Sequence, residues 1–318
     1  MFFCLILFFS LFLTGCGSTQ KVTQTVYALD TVITLTIYEP DKASLLEEAA
    51  KKIADYENKF SRTISGSEID QINKADGSFV TVSDDTASLL SEALKYCALT
   101  DGKMDITISP AKDLWDFTGE TKALPDADAL AEAVTHVDYT GVEISKNQVR
   151  LTDPDAALDL GCIAKGYIAD QIRSFLMENG ISAGILNFGG NVVCFGSKPD
   201  GTPYKIGIQK PFDKTGAILT SVDAKEDSFT SVVTSGIYER YFELDGQIYH
   251  HILDSKTGYP VENDLYSVTI LSDSSTQGDA LSTTCLALGL TDGMKLIEDT
   301  EGVEAIFVTK DDKLHTTY

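Results

Sequence analysis

The sequence predicts an α+β fold in a single domain, and three observations lead to that class. Long amphipathic helical segments share the chain with strand-rich stretches. The strands cluster, above all between residues 204 and 271, and look antiparallel from their alternating polar and apolar residues. No repeat, low-complexity tract or proline-rich linker divides the 318 residues, a length that suffices for a substantial core.

Local patterns predict the elements of the first half. Residues 25–38, rich in Val, Ile, Thr and Tyr, are typical of a strand pair or of one long bent strand. Apolar residues recur at helical spacing over 43–60 and over 84–100, which predicts two helices. Asp84 or Asp85 is the expected cap of the second helix. Two further elements, a helix and a strand hairpin, are predicted over 126–138 and 141–151.

The second half is predicted to mix strands with helices. A strand ending at Phe188 runs into the paired glycines Gly189 and Gly190, which is typical of a hairpin turn or of backbone that lies close to a ligand. Alternation in the strand-rich region is clearest from Ile237 to Leu244. Two helices and a final strand are predicted over 278–288, 292–300 and 303–309.

The stretch from Leu158 to Gly180 begins with a short apolar run ending in Asp159, turns at Gly161 and then has the features of a helix with an anion site at its start. An apolar stripe at roughly helical spacing is formed by Ile163, Tyr167, Ile172 and Leu176, and Gly180 is the expected stop. Small residues and Lys165 lie in the first turn, where free backbone N–H groups favour an anion. These features predict a phosphate site, although an ordinary helix start with a solvated lysine has the same pattern.

The composition is that of an acidic globular protein. The chain has 43% apolar and 23% charged residues, and 25 basic against 48 acidic side chains give a formal net charge of −23. This charge argues against a nucleic-acid partner and against passive adhesion to an anionic lipid surface. An anionic ligand would need local lysines and metal ions to overcome the global field.

Residues 1–15 are predicted to be a lipoprotein signal peptide. The apolar run that opens the chain is too short to span a bilayer comfortably, and it ends in small residues. The tetrapeptide LTGC resembles a bacterial lipobox, which makes Cys16 the expected lipidated residue, 16–24 a tether and 25–318 the functional domain. No Lys or Arg precedes the run, so a truncated start and a plain N-terminal membrane anchor stay open. In either case we expect the body outside the cytoplasm, attached to a bacterial membrane.

Three further stretches carry chemical groups. Residues 234–236 place two hydroxyls before a glycine, and His250 and His251 are adjacent. In a strand those two side chains point to opposite faces, so only one can face a given site. Asp279 and Thr283 are four residues apart on a predicted helix and share a face. A carboxylate with a hydroxyl suits Mg²⁺, although a helix-start Asp with a back-bonded Thr is the structural alternative.

Five ordered motifs resemble the ApbE family of FAD:protein FMN transferases. They are DLGCIAKGYIAD, NFGGNV, TSGIYERYF, HHILDSKTGYP and DALSTT, at residues 159–170, 187–192, 234–242, 250–260 and 279–284. The resemblance covers the chain from about Thr25 to its C-terminus. It implies one ApbE-like, T-fold-related domain with mixed, largely antiparallel sheets and packed helices. The lipobox agrees with it, because many members are lipoproteins.

The resemblance also implies an activity. Members bind FAD and Mg²⁺ and transfer FMN from FAD to a Thr or Ser hydroxyl of a target protein, releasing AMP. The implied partner is an acceptor flavoprotein, either an FMN-binding subunit of a membrane electron-transfer complex or an extracytoplasmic reductase. Its acceptor motif, of the type Asp-Gly-x-Thr-Ser/Thr-Gly-Ala-Thr, is expected in another chain.

The resemblance assigns site residues position by position. Asp279 and Thr283 match the metal-binding side chains, and Ala164 matches the position whose backbone carbonyl binds the metal. His251 matches the histidine proposed to assist deprotonation of the acceptor hydroxyl, so His251 and Asp279 are the predicted catalytic residues. The predicted flavin-binding residues are Leu29, Gly102, Lys103, Met104, Asp105, Gly161, Lys165, Tyr167 and Leu253.

Two other functions stay open at this point. With water as the acceptor, the protein would be an FAD hydrolase giving FMN and AMP. Alternatively, it would be a non-catalytic lipoprotein that stores or presents FAD. The presence of His251 and of the pair Asp279 and Thr283 favours the enzyme, because a carrier does not need both the histidine and the metal-binding pair.

Overall fold

The architecture is α+β, which confirms the predicted class. A computed structural model describes residues 20–118, 121–225 and 228–318, so the predicted signal peptide and Cys16 lie outside the described residues. Strand structure begins at Val22, inside the predicted tether. Across the described part of the chain, no helix combines the length and the apolar character that crossing a membrane requires.

The described residues form eight α-helices and fifteen strands. The helices are α1 (Ser44–Phe60), α2 (Glu68–Asn73), α3 (Asp84–Leu99), α4 (Ser109–Lys112), α5 (Ala127–Ala133), α6 (Ala164–Glu178), α7 (Ser275–Leu288) and α8 (Leu290–Glu298). The strands are β1 (Val22–Ala28), β2 (Thr31–Ile37), β3 (Val80–Thr81), β4 (Val142–Ser145), β5 (Gln148–Leu151), β6 (Gly184–Phe188), β7 (Asn191–Phe195), β8 (Tyr204–Gln209), β9 (Ile218–Ala224), β10 (Ser231–Gly236), β11 (Tyr241–Leu244), β12 (Gln247–His250), β13 (Leu265–Ser272), β14 (Glu304–Thr309) and β15 (Leu314–Thr316).

One sheet of eight strands organises the molecule. Its order is β1-β2-β6-β7-β10-β13-β14-β15, and every neighbouring pair is antiparallel. Three small antiparallel sheets accompany it, with the orders β3-β5-β4, β8-β9 and β11-β12. Antiparallel neighbours bring hairpin turns to the ends of a sheet, and one such end forms part of the candidate site.

Helices α6 and α7 pack on each other, and both contact this sheet. Ile168, Ile172 and Leu176 recur every fourth residue along α6 and are all 0% exposed. The sheet contributes Leu35 and Phe188, which are also fully buried. Burying one side chain of this size stabilises the fold by roughly 1.5–3 kcal/mol, so these apolar stripes fix how the helices lie on the sheet.

Three chain reversals meet at one end of the sheet. Leu29 and Asp30, both with φ 55°, make the turn between β1 and β2. Gly189 and Gly190, with φ 66° and 101°, make the turn between β6 and β7. A Cβ on Gly189 would lie 2.0 Å from Thr31 Oγ1, so the close approach of the two turns requires glycine. Strand β10 ends beside them, and the chain reverses there towards β11.

Two details of the helices differ from the sequence-based prediction. The cap of α3 is Ser83, whose Oγ accepts the N–H of Thr86, because Ser83 is extended while Asp84 is already helical. The helix predicted over 126–138 ends at Ala133 and continues only as the 3-10 turn Val134–His136. The β-branched residues that follow Ala133 lower helix propensity, which explains the early end.

Some strands and one helix also differ. Alternation predicted a strand from Ile237, but residues 237–240 form the reversal after β10 and β11 begins at Tyr241. Helix α2 and strand β15 were not predicted. They have six and three residues, too few for a periodic pattern to be read.

Candidate functional site

The first turn of α6 lies directly on α7. Gly166 has no room for a side chain, since a Cβ there would lie 2.1 Å from the carbonyl oxygen of Ser275. Its backbone N–H donates to Asp279 Oδ2 at 2.9 Å. Glycine is therefore required where the two helices touch, and the contact holds the Asp279 carboxylate against the start of α6.

Asp279 is a buried carboxylate that pairs with one cation of the described residues. Its exposed fraction is 1%, and its Oδ1 lies 3.3 Å from Lys165 Nζ. Burial disfavours the ammonium of Lys165, but attraction by the carboxylates of Asp279 and Glu239 outweighs it and raises the lysine's pKa. A charged lysine therefore stands beside a buried carboxylate.

Three hydroxyl groups lie next to Asp279. Thr283 follows it by one turn of α7, and Thr283 Oγ1 is 3.2 Å from Ser235 Oγ. Ser235 Oγ is in turn 2.8 Å from Ser282 Oγ. Because Ser235 lies near the end of β10, the sheet and α7 supply oxygen atoms to one place. We call the group of Lys165, Ser235, Asp279 and Thr283 the sheet-end site.

Oxygen atoms of the sheet-end site, together with the adjacent start of α6, fit a Mg²⁺ ion. The carboxylate of Asp279, the hydroxyl of Thr283 and the backbone carbonyl of Ala164, the first residue of α6, are hard oxygen ligands of the kind that Mg²⁺ prefers. The ammonium contact at 3.3 Å is longer than the roughly 2.7–2.9 Å of a charge-assisted hydrogen bond. The charge of Asp279 is thus incompletely neutralised, as a cation site requires.

His251 follows β12 and is fixed to the chain reversal after β10. Its backbone N–H donates to the carbonyl oxygen of Arg240 at 3.1 Å, and its Nδ1 lies 3.2 Å from the same oxygen. A carbonyl can only accept, so Nδ1 carries the proton and Nε2 is left as an acceptor. Burial, Lys112 and Arg240 lower the pKa of His251 to about 3, which keeps the imidazole neutral at neutral pH.

The hairpin that carries His251 rests on an aromatic cluster. The ring of Trp115 lies 5.9 Å from Tyr249 and 6.3 Å from Phe242, and its Nε1 donates to the carbonyl of Gly258 at 2.9 Å. The neighbouring His250 is only 5% exposed, and burial lowers its pKa to about 4. Of the two adjacent histidines, His251 is the one joined to Arg240.

Glu239 and Arg240 are site residues that the sequence analysis missed. Both act electrostatically on Lys165, Glu239 by attraction and Arg240 by repulsion. Glu239 Oε1 lies 3.7 Å from the position that a Cβ of Gly190 would take, and Arg240 Nη2 lies 3.8 Å from Asp30. The TSGIYERYF motif contains both residues, but an adjacent Glu and Arg have no spacing that distinguishes them from a surface pair.

Two segments that hold predicted flavin-binding residues meet each other. Gly102, with φ 75°, accepts a hydrogen bond from Ser255 Oγ at 2.6 Å. Lys103 Nζ pairs with Asp254 at 3.0 Å, and Leu253 forms a bridge with Pro260. The structure therefore brings Gly102, Lys103 and Leu253 together, close to His251 in the chain.

Met104 and Asp105 are buried behind this contact. Met104 Sδ accepts from Thr284 Oγ1 at 3.3 Å, which places it beside α7. Asp105 accepts from the backbone and hydroxyl of Thr107 at 2.8 and 2.6 Å and from the backbone of Tyr139 at 3.0 Å. Burial raises the pKa of Asp105 despite these donors.

The turn at Gly161 is held by a buried carboxylate. Asp159 Oδ1 accepts the N–H of Gly161 at 2.8 Å, while its Oδ2 lies 2.6 Å from Lys112 Nζ and 2.9 Å from Arg62 Nε. The apolar run ending in Asp159 was the sequence signal for this turn. The two cations that pair with Asp159 come from distant elements, and no local sequence pattern indicates them.

Leu29 and Tyr167 lie apart from the other predicted residues. Tyr167 is 9% exposed, and its ring packs edge-on against the rings of Tyr56 and Phe60, at 6.2 and 5.7 Å. Leu29 N donates to Glu57 Oε1 at 2.6 Å, in the turn whose next residue faces Arg240. Leu29 thus borders the sheet end, whereas Tyr167 belongs to the packing between α6 and α1.

The fold and this site place the chain in a known family of proteins. The model of the ApbE family matches residues 29–307, so the chain belongs to the ApbE family. This confirms the resemblance seen in the five sequence motifs.

Individual relatives are similar to this chain over most of their length. A FAD:protein FMN transferase of Klebsiella pneumoniae (strain 342) is 37% identical over 281 residues, which are 87% of this chain and 86% of the relative. A protein of the same name from Treponema pallidum is 31% identical over 95% of this chain and 89% of its own length. The crystal structure of the ApbE protein of Thermotoga maritima, at 31% identity, superposes with a TM-score of 0.85 over 93% of this chain and 96% of that one.

Proposed function

We propose that this protein transfers FMN from FAD to a Thr or Ser hydroxyl of an acceptor flavoprotein, with Mg²⁺ and with release of AMP. The observation that carries the proposal is the buried Asp279, incompletely neutralised by Lys165 beside a cluster of hydroxyl groups. The name shared by the curated relatives, FAD:protein FMN transferase, supports the same activity.

Asp279, Thr283 and the carbonyl of Ala164 are the residues proposed to hold Mg²⁺. When bound, the ion supplies neutralisation of charge on the pyrophosphate of FAD, on which this type of transfer depends. Lys165 adds a positive charge at the same place. The N-terminal turn of α6 adds the positive end of the helix dipole, which also favours an anion.

His251 is proposed to act as the general base. Its Nε2 accepts the hydroxyl proton of the acceptor as the acceptor oxygen bonds to the phosphorus of FMN. The pyrophosphate bond breaks, and its electron pair leaves with AMP. The imidazole is neutral and oriented by the carbonyl of Arg240, which leaves Nε2 able to accept a proton. Its low pKa in the free protein makes it a weak base, and the negative charge of bound FAD would raise that pKa towards the working range. A general base of this kind contributes typically about 10²–10⁴-fold.

The predicted flavin-binding residues stay in the proposal. Gly102, Lys103 and Leu253 lie in two segments that meet near His251, and Gly161 and Lys165 border the start of α6. Leu29 is in the turn that faces Arg240. The buried side chains of Met104, Asp105 and Tyr167 contribute by holding these segments and α6 in position.

The location is proposed from the N-terminal sequence. A lipid on Cys16 would anchor the protein to a bacterial membrane, with the folded part outside the cytoplasm. That location gives access to the proposed acceptors, which are FMN-binding subunits of membrane electron-transfer complexes or extracytoplasmic reductases.

The activity is tested by incubating residues 21–318 with FAD, Mg²⁺ and an acceptor domain that carries the threonine motif. We expect mass spectrometry to show a gain of one FMN mass on the acceptor, with release of AMP, and a chelator to abolish both. AMP and free FMN without labelled acceptor would indicate an FAD hydrolase. Bound FAD without AMP would indicate a non-catalytic FAD-binding protein.

A further inference from the structure

Lys165 stands at the Asp279 oxygen that a cation would use. Its Nζ lies 3.3 Å from Oδ1, whereas Oδ2 accepts the N–H of Gly166 at 2.9 Å. An ammonium and a divalent cation on one carboxylate oxygen repel each other strongly. Cation binding at Asp279 therefore requires Lys165 to move.

A second carboxylate, that of Glu239, attracts the same lysine electrostatically. Its attraction acts on Lys165 together with that of Asp279, and its Oε1 lies at the turn of Gly190. Part of the residue is exposed, but the surrounding protein raises the pKa of the Glu239 carboxyl group to about 7. No cation of the described residues lies within 4.0 Å of that carboxylate. Glu239 therefore has capacity to accept an ammonium.

We propose that Lys165 exchanges its ion pair with Asp279 for one with Glu239 when Mg²⁺ binds, so that Glu239 is a positioning residue of the metal site. This inference rests on the proposed function, in which Asp279 holds Mg²⁺. The exchange leaves no charge unpaired, because the lysine has an acid in both states and Asp279 has a cation in both states. The flexible four-carbon stem of lysine permits such a move.

The exchange predicts coupled effects on the affinity for Mg²⁺. Glu239→Gln removes the acid that receives the displaced ammonium, so Mg²⁺ binding weakens about 10-fold. Lys165→Met removes the competing ammonium, so Mg²⁺ binding strengthens. In the Lys165→Met background no ammonium needs a new partner, and Glu239→Gln then changes the affinity by less than about 2-fold.

The test is a double-mutant cycle measured by isothermal titration calorimetry. Mg²⁺ is titrated into FAD-free residues 21–318 of the wild type, both single variants and the double variant. Glu243→Gln is the matched control, because it removes the same charge from an exposed position of β11. Thermal unfolding followed by circular dichroism establishes that each variant is folded.

The outcomes separate the inference from the function on which it rests. A 10-fold effect of Glu239→Gln that disappears with Lys165→Met, and is absent for Glu243→Gln, supports the exchange. Equal effects of Glu239→Gln in both backgrounds show ordinary charge attraction and overturn the exchange alone. If wild-type protein does not bind Mg²⁺, or Asp279→Asn binds it equally well, both the proposed metal site and the exchange are overturned.

Discussion

Asp159 and Asp279 are two buried carboxylates on either side of the first turn of α6, and their surroundings differ. Asp159 has two cations, at 2.6 and 2.9 Å, and the N–H of Gly161 at 2.8 Å. Asp279 has one ammonium at 3.3 Å and the N–H of Gly166 at 2.9 Å. The charge of Asp159 is neutralised by its own cations, which is typical of a structural carboxylate. The charge of Asp279 is only partly neutralised and is available to a ligand.

Burial by itself does not separate these two roles. The exposed fractions are 7% for Asp159 and 1% for Asp279, so the less neutralised carboxylate is the more buried one. Burial alone would raise the pKa of Asp159, but Lys112 and Arg62 outweigh it and lower that pKa to about 2. The number and distance of the cations, not the depth, indicate which acid is available for function.

The largest expected effect belongs to Asp279. We expect Asp279→Asn to reduce Mg²⁺-dependent FMN transfer by at least about 10³-fold, because several kcal/mol of charge stabilisation are lost with the metal. Stability should change by less than about 1 kcal/mol, since the amide still accepts the N–H of Gly166. AMP release and acceptor labelling measure the first effect, and urea unfolding measures the second. Normal transfer by this variant would remove Asp279 from the site.

His251 comes next. We expect His251→Ala to slow transfer by about 10²–10⁴-fold while FAD binding stays normal, because the variant loses a proton acceptor and no ligand contact to the flavin. Single-turnover transfer and a fluorescence titration with FAD separate the two quantities. His250→Ala is the matched control and should lose stability, since His250 is buried. A normal transfer rate in His251→Ala would show that the base is another group.

Substitution of Asp159 should lower the free energy of unfolding. Asp159→Asn leaves Lys112 and Arg62 without their shared carboxylate, and we expect a loss of about 2–4 kcal/mol. This lies below the value for wholly buried pairs, because the two side chains are 22% and 24% exposed and water screens them in part. Urea unfolding of this variant beside Asp279→Asn gives a direct comparison. A larger loss for Asp279→Asn would reverse the assignment of the two acids.

The same carboxylate should shape the acid dependence of stability. The folded-state pKa of Asp159, about 2, is below the unfolded value of about 3.9, so its stabilisation is present above pH ~4. That contribution is lost as the pH falls from about 4 to about 2. Urea midpoints measured over this range should fall less steeply for Asp159→Asn than for the wild type. Parallel curves would contradict the ion-pair account.

The smallest effect is expected for Asp170, a structural acid on the same helix as Lys165. It accepts from Ser274 Oγ and from the backbone N–H groups of Ser275 and Thr276, at 2.9, 3.1 and 2.9 Å. Asp170→Ala should therefore cost about 1–2 kcal/mol, because the first N–H groups of α7 lose their side-chain acceptor while the N-cap Ser274 remains. Chemical denaturation measures the loss. Asp292→Ala, which removes an exposed acid from the first turn of α8, should cost clearly less.

The sequence predicted long periodic elements better than it predicted contacts. The helices α1 and α3 begin and end within two residues of the predicted bounds, and α6 begins three residues after the predicted turn at Gly161, because each has an amphipathic pattern of several turns. The partners of Asp159 come from other elements, and nothing in a local pattern couples them. The same reason explains why Glu239 and Arg240 were missed.

Tyr167 illustrates how a motif can combine two roles. The family resemblance assigned both Lys165 and Tyr167 to flavin binding, while helical periodicity placed Tyr167 in the apolar stripe. Two residues apart on a helix, their side chains differ in direction by about 200°. The structure accordingly has Lys165 at Asp279 and Tyr167 packed on α1. Its part in flavin binding stays a prediction.

Strand β2 pairs with β6, although the five helices α1 to α5 and helix α6 separate them in the chain. Ile33 lies opposite Phe188, so the hairpin of β1 and β2 keeps an open edge until residue 188 has been synthesised. Such distant pairing is slow, and an unpaired hairpin is marginal in water and prone to association. A fragment that ends before Gly184 could therefore not keep its first strands in a sheet. The strands β1 and β2 are synthesised first but gain their neighbour β6 late, so the domain folds as one unit.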